Sequence, residues 1–152
     1  IGIPAGATAC VSVRAHNRAG QVGPWSSVHC TVRMADDRIA TTLSAGWRLT
    51  SDPKAFAGTL TRTTTHAATW HLDRVTARRV SVVATTCATC GSIVVTLGTT
   101  RLGTISLTSS TTTYGVQFDL PAVPITSGSL TITVTSPAGR LVALDAVLVS
   151  PV

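Results

Sequence analysis

The sequence predicts an all-β chain: an antiparallel β-sandwich, jelly-roll-like in form, preceded by a two-stranded hairpin. Three observations carry that expectation. All six acidic residues are Asp and Lys54 is the only lysine among twelve basic residues, so the strong helix formers Glu and Lys are nearly absent while Thr and Val crowd the chain. Apolar residues alternate with polar ones at period two in segment after segment. Turn signals separate those segments at short, regular spacing, the pattern of a two-sheet sandwich. With 152 residues and 44% apolar content, the chain is long enough to bury a core.

At the left end, Val11, Val13 and Ala15 alternate with Ser12, Arg14 and His16, a half-buried antiparallel pattern. Asn17, Gly20 and Gly23 supply turn chemistry. Centring the hairpin on Gly20 pairs Val13 with Ser27 and Ala15 with Trp25, which sets Cys10 opposite Cys30. Four cysteines allow three connectivities. Cys87-Ala-Thr-Cys90 runs into Gly91 and the strand-like "SIVVTL", without the second pair that zinc needs or the helix that a redox dithiol needs. The expected bridges are therefore Cys10–Cys30 and Cys87–Cys90, and an even set of bridged cysteines points to an oxidising, extracellular setting.

The polar stretch Met34-Ala-Asp-Asp-Arg38 breaks the composition and divides residues 1–35, the hairpin, from residues 36–152, the sandwich. Within the second part Ala68, Trp70 and Leu72 share a face, as do Ile93, Val95 and Leu97, then Ile105 and Leu107, then Leu130, Ile132 and Val134 against Thr131, Thr133 and Thr135. Asp52-Pro53, Cys90-Gly91, Gly98, Ser109-Ser110, Ser127-Gly128 and Pro137-Ala-Gly139 mark the turns between them.

Two family resemblances lie on these residues. Gly2, Ile3, Gly6, Val11, Val13, Ala15, Asn17, Gly20 and Ser26 resemble the last two strands of a fibronectin type III domain, with Ala9 where that family has its corner tyrosine. Gly46-Trp47, Phe56 to Thr59, the strand at Trp70, the "SSTTTY" run ending at Tyr114 and the closing strand with Asp145 are similar to a β-sandwich module of secreted surface proteins from high-GC Gram-positive bacteria. The second resemblance implies a relative of carbohydrate-binding jelly rolls, an accessory domain without chemistry of its own. Gly98-Thr99-Thr100 replaces that family's Asp-Gly turn, and the strand before it is poorer in tyrosine.

The formal charge is +6, but the eleven arginines are scattered, with neither a basic run nor interleaved aromatics, and nucleic acid is not expected as a partner. No apolar stretch reaches the length of a membrane span. Sugar recognition uses ring faces beside polar hydrogen-bonders, and Trp25, Phe56, Tyr114 and Gln117 are the candidates, Trp47 and Trp70 reading as core. Clustered oxygens make Asp36, Asp37 and Asp145 weak calcium candidates, Asp145 reading first as a group that satisfies buried donors; no other cofactor is expected. His16, His29, His66 and His71 are present, but no nucleophile elbow or carboxylate pair accompanies them, so an enzyme is not expected.

The first functional expectation is a non-catalytic structural, assembly or interaction module of a larger secreted bacterial protein. The alternative is a carbohydrate-binding accessory module for cell-wall or environmental glycans. Two strands cannot complete a fibronectin-like core, which leaves three accounts of the hairpin: part of a longer protein, which is favoured, packing onto residues 36–152, or completion by another chain, with a homo-oligomer as one form of the last.

Overall fold

A computed structural model describes residues 2–4 and 6–152. The strands in chain order are β1 (Thr8–Val11), β2 (His29–Val32), β3 (Ala35–Asp36), β4 (Thr42–Leu43), β5 (Arg48–Ser51), β6 (Thr59–Thr63), β7 (Thr69–Ala77), β8 (Arg79–Thr86), β9 (Ser92–Leu97), β10 (Thr100–Ser106), β11 (Thr113–Asp119), β12 (Thr126–Val134) and β13 (Val142–Ser150). The only helical pieces among the described residues are single 3-10 turns at Asp37–Ile39 and Phe56–Gly58. The expected all-β antiparallel sandwich is the observed one.

One sheet runs β10-β9-β12-β7-β4 and the other β11-β8-β13-β6-β5, with β3 extending the second along β13. Alternation decides which side chains meet between them. Trp70, Ile93, Leu97, Leu130, Ile132 and Val134 from the five-stranded sheet are fully buried and face Val82, Val142 and Leu144 from the six-stranded one. The threonines between them turn outward and pair locally: the Thr131 hydroxyl with His71 Nδ1 at 3.0 Å and the Thr135 hydroxyl with that of Ser92 at 3.0 Å.

Within the five-stranded sheet two glycines let neighbouring segments come close. A Cβ on Gly128 would stand 2.7 Å from Gly98 Cα and 2.9 Å from Gly98 N, so the β9–β10 turn and β12 approach backbone to backbone. Gly128→Ala is expected to cost about 1–3 kcal/mol by overpacking, read as a lower urea midpoint at unchanged slope; an unchanged midpoint would show that the approach is looser than described.

The polar stretch at residues 34–38 enters the sandwich wall, since Ala35 is buried and β3 pairs with Ala146 and Val147 of β13. Ahead of it β1 and β2 form their own two-stranded sheet, with Cys10 opposite Cys30 and a disulfide joining them. Asn17 Oδ1 accepts from the amides of Ala19 and Gln21 and so holds the tip, where Gly20 has a φ of +80°. The expected pairing of Ala15 with Trp25 does not occur. His16 pairs with Val22, and Gly23 N donates to Ala15 O. The register slips by two residues between the disulfide and the tip: Ser26 N donates to Val13 O, one residue out, and beyond Pro24, which brings no N–H to the ladder, the offset is two.

The hairpin meets the sandwich at its base, where the Thr8 and Ser150 hydroxyls lie 3.4 Å apart and β2 runs near β13. Its apolar side stays open, with Val13 67% and Trp25 60% exposed. Replacing Cys10 and Cys30 by serine is expected to destabilise the hairpin by about 3 kcal/mol. Hydrogen exchange would then show rapid exchange at β1 and β2 with β7 and β12 still protected; loss of protection throughout would contradict this division.

Candidate functional site

The outward face of the six-stranded sheet carries two concavities of different character. The larger, about 790 Å³, lies between that face and the hairpin and is bordered by Val28, Ser81, Gln117, Asp119, Leu148 and Ser150. Its polar groups satisfy one another: Asp119 Oδ1 accepts from Gln117 Nε2 at 2.7 Å and from the Ser81 hydroxyl at 2.6 Å. Those two bonds hold the exposed Asp119 carboxyl below the usual range, Gln117 first and Ser81 second. No aromatic ring borders this space.

The smaller groove, about 210 Å³, crosses the other end of the same face. Leu60 and Arg62 of β6, Thr85 of β8, Tyr114 of β11 and Ala143 of β13 line it, and the Cys87–Cys90 disulfide closes its end. Alternation puts these residues outward, since Val82 and Ala84 of β8 and Val142 and Leu144 of β13 belong to the core. A β-bulge in β11 between Thr113 and Val116 gives Tyr114 its place at the rim. The Lys54 ammonium stands over its ring, 5.3 Å from the centroid. Thr85 is 4% exposed and its hydroxyl has no hydrogen-bond partner, an unmet polar demand in a floor otherwise made by Leu60 and Ala143.

The disulfide at the end of the groove fixes the turn that leads into β9, with Cys90 N donating to Cys87 O and Gly91 N to Leu141 O. Cys87→Ser with Cys90→Ser is expected to cost about 2 kcal/mol, because closing so short a loop removes little chain entropy. Thermal unfolding would check the figure; a loss twice as large would mean that the bridge also supports the core.

The four residues singled out for ligand contact fall in four places. Tyr114 lines the groove. Phe56 sits in the β5–β6 connection beside Lys54, its amide donating to Asp145 Oδ1 at 2.8 Å. Gln117 belongs to the larger concavity, and Trp25 stands on the hairpin with the Arg14 guanidinium 4.6 Å over its ring. Lys54, Arg62 and Thr85 escape a sequence reading that looks for aromatics and amides. The available signal was "GTLTRT", where Leu60 and Arg62 share a face opposite Thr59, Thr61 and Thr63.

The aspartates considered for calcium lie near one another, and each is engaged. Asp37 is buried and accepts from the hydroxyls of Thr59, at 2.8 Å, and Thr61, at 2.5 Å. Asp36 holds Arg38 at 2.6 Å. Asp145 takes the Phe56 amide, the role expected of a group that satisfies a buried donor. Burial raises Asp37, and burial followed by the charges of Asp37, Asp36 and Asp52 pushes Asp145 up to about 6. Among the described residues no group of three or more His, Cys, Asp or Glu side chains is placed to hold a metal ion.

The histidines are occupied apart from one another. His66 Nδ1 lies 2.9 Å from Ser136 O, His71 pairs with Thr131, and His29 Nε2 lies 3.1 Å from the exposed Ser27 hydroxyl. Among the described residues the one ion pair is Arg38–Asp36, so no histidine is oriented by a carboxylate. No helix is long and apolar enough to cross a membrane.

No protein-family model matches the chain, and no curated protein is similar to it in sequence. Its fold does have solved counterparts. A family 6 carbohydrate-binding module of Clostridium cellulolyticum, solved with xylose, superposes with a TM-score of 0.59 at 14% identity over 76% of this chain and 94% of that one. CsCBM6-3 of Clostridium stercorarium, solved with cellobiose, gives 0.56 at 15% identity over 78% and 93%. A glycoside hydrolase family 43 arabinoxylan arabinofuranohydrolase of Bacillus subtilis, solved with cellotetraose, gives 0.61 at 12% identity over 91% of this chain and 33% of the enzyme. At these identities the likeness is one of fold.

Proposed function

We propose that the sandwich is a non-catalytic carbohydrate-binding module and that its ligand lies in the groove of the six-stranded sheet. The observation that carries this reading is a rim tyrosine, Tyr114, at a groove whose floor of Leu60 and Ala143 is apolar and holds the buried, unpartnered hydroxyl of Thr85. A pyranose offers a C–H face for the ring and the apolar floor and hydroxyls for the polar groups at the rim, so the groove suits a sugar better than a lipid tail. The fold shared with modules solved with xylose and cellobiose supports the same reading. It displaces the expectation of a purely structural module from first place.

The two disulfides favour a secreted or cell-surface location. In this reading the hairpin, which resembles the last two strands of a fibronectin type III domain, offers its open apolar side to a protein partner.

The test is calorimetric titration with a panel of neutral and acidic oligosaccharides. Saturable binding is expected, with Tyr114→Ala weakening it at least tenfold, the scale of a lost ring contact. Trp25→Ala, on the hairpin, should leave it unchanged. Binding by no glycan of the panel, or binding lost with Trp25 and kept without Tyr114, would overturn the assignment.

A further inference from the structure

We propose that the groove selects acidic glycans: Arg48 and Arg62, side by side on β5 and β6, take the carboxylate of a uronate-bearing oligosaccharide while a neighbouring sugar ring rests on Tyr114. This rests on the glycan reading of the groove and names the class of glycan.

The first observation is a register. Arg48 is the direct cross-strand partner of Arg62 in the antiparallel β5–β6 pair. Directly opposite residues project from the same face with Cβ atoms about 4.5–5.5 Å apart, and like charges so placed destabilise a sheet. Arg62 lines the groove, so the pair stands at its β6 side.

The second observation is that no acidic side chain among the described residues pairs with either arginine. The sole ion pair among the described residues is Arg38–Asp36. Arg62 donates through Nε to the Thr50 hydroxyl at 3.2 Å, which fixes the guanidinium and leaves its terminal nitrogens without a described partner. The Asp52 carboxylate, the acid nearest in sequence, accepts the Lys54 amide within its own turn. No acidic residue lines the groove. Lys54 adds a further cation at the Tyr114 rim, on a chain whose formal charge is +6.

Guanidinium forks match the planar geometry of a carboxylate, two N–H groups to two oxygens, and a bound acid would turn the repulsive pair into an attractive triad. The remaining surfaces narrow the carrier of that acid. A floor of Leu60 and Ala143 and a ring at Tyr114 suit a pyranose, whereas an acyclic polyanion would use the charges alone.

The experiment compares oligogalacturonate and glucuronoxylan oligosaccharides with their carboxyl-reduced, neutral counterparts, using the full chain at low and at moderate salt. At least one acidic oligosaccharide should bind tenfold or more tighter than its neutral counterpart. In the Arg48→Gln, Arg62→Gln variant, whose fold is checked by thermal unfolding, the ratio of acidic to neutral affinity should fall to near one. Should the double variant lose stability, the single variants serve, each lowering the ratio severalfold. Equal binding of acidic and neutral forms would overturn the acidic preference and leave the glycan reading standing; binding by neither would overturn both. Inorganic polyphosphate binding as tightly as the uronate oligosaccharides would replace sugar recognition with bare charge attraction and overturn the proposal.

Discussion

Replacing Trp70 by alanine is expected to remove about 3–5 kcal/mol of stability, the scale of a deleted core aromatic. The indole is 1% exposed near the start of β7, between Leu43 of β4 and Ile132 of β12, and it fills the space between the sheets. It also donates through Nε1 to the Asp37 carbonyl at 3.3 Å, tying the wall at β3 to the core. Trp70→Phe should cost less, the loss being part of the volume and one buried hydrogen bond, itself worth about 1 kcal/mol. Domains of this size are stable by about 5–15 kcal/mol, so the alanine variant should show a sharply lower urea midpoint with its slope unchanged. A cost below about 1 kcal/mol would mean that the two sheets do not close on this ring.

Asp145→Asn is expected to flatten the pH dependence of stability between pH 4 and 7. Asn keeps the oxygen that accepts the Phe56 amide and removes the charge. Burial, and then the neighbouring aspartates, raise the Asp145 carboxyl from 3.8 to about 6 in the folded chain, so the folded state holds a proton that the unfolded state has released. Its stabilising contribution is therefore complete below about pH 4 and is lost as pH rises through 6. Relative to the variant, the native protein should lose about 2–3 kcal/mol over that interval. Asp37, raised in the same direction, is present in both proteins, and its interaction with the Asp145 charge is part of the difference measured. Denaturant unfolding at four pH values measures it, and a constant difference would contradict the buried, charge-crowded placing of Asp145. A pH trend that calcium chloride abolishes in the native protein alone would show that a cation replaces the proton among Asp36, Asp37 and Asp145.

The architecture could be read along the chain because long strands such as β7, β9 and β12 bury one face. Leu130, Ile132 and Val134 against Thr131, Thr133 and Thr135 state their orientation in the sequence, and Cys10 does lie opposite Cys30, although the turn that suggested the pairing is two residues out of that register. The site could not be read in the same way, because it depends on which strands become neighbours. Thr85 lies within "VSVVATT" and reads as one more buried strand position; only the placing of β13 and β6 beside β8 makes it the floor of a groove. Arg48 and Arg62 are separated by a turn whose length does not reveal their register. Asp37 reads as linker and is a buried wall of the sandwich, because its partners on β6 lie more than twenty residues away. Gln117 was singled out by residue type alone, and a neighbour two positions along the strand, Asp119, already engages it.

The central claim, that a glycan occupies the outward face of the six-stranded sheet, is tested most directly by amide chemical-shift mapping during titration with a binding oligosaccharide. The account predicts that the shifting amides cluster at Leu60 to Arg62, Thr85 to Thr89, Thr112 to Tyr114 and Leu141 to Ala143, with the hairpin and the five-stranded sheet unmoved. Shifts centred on Trp25, or on Ser81, Gln117 and Asp119 beneath the hairpin, would contradict it.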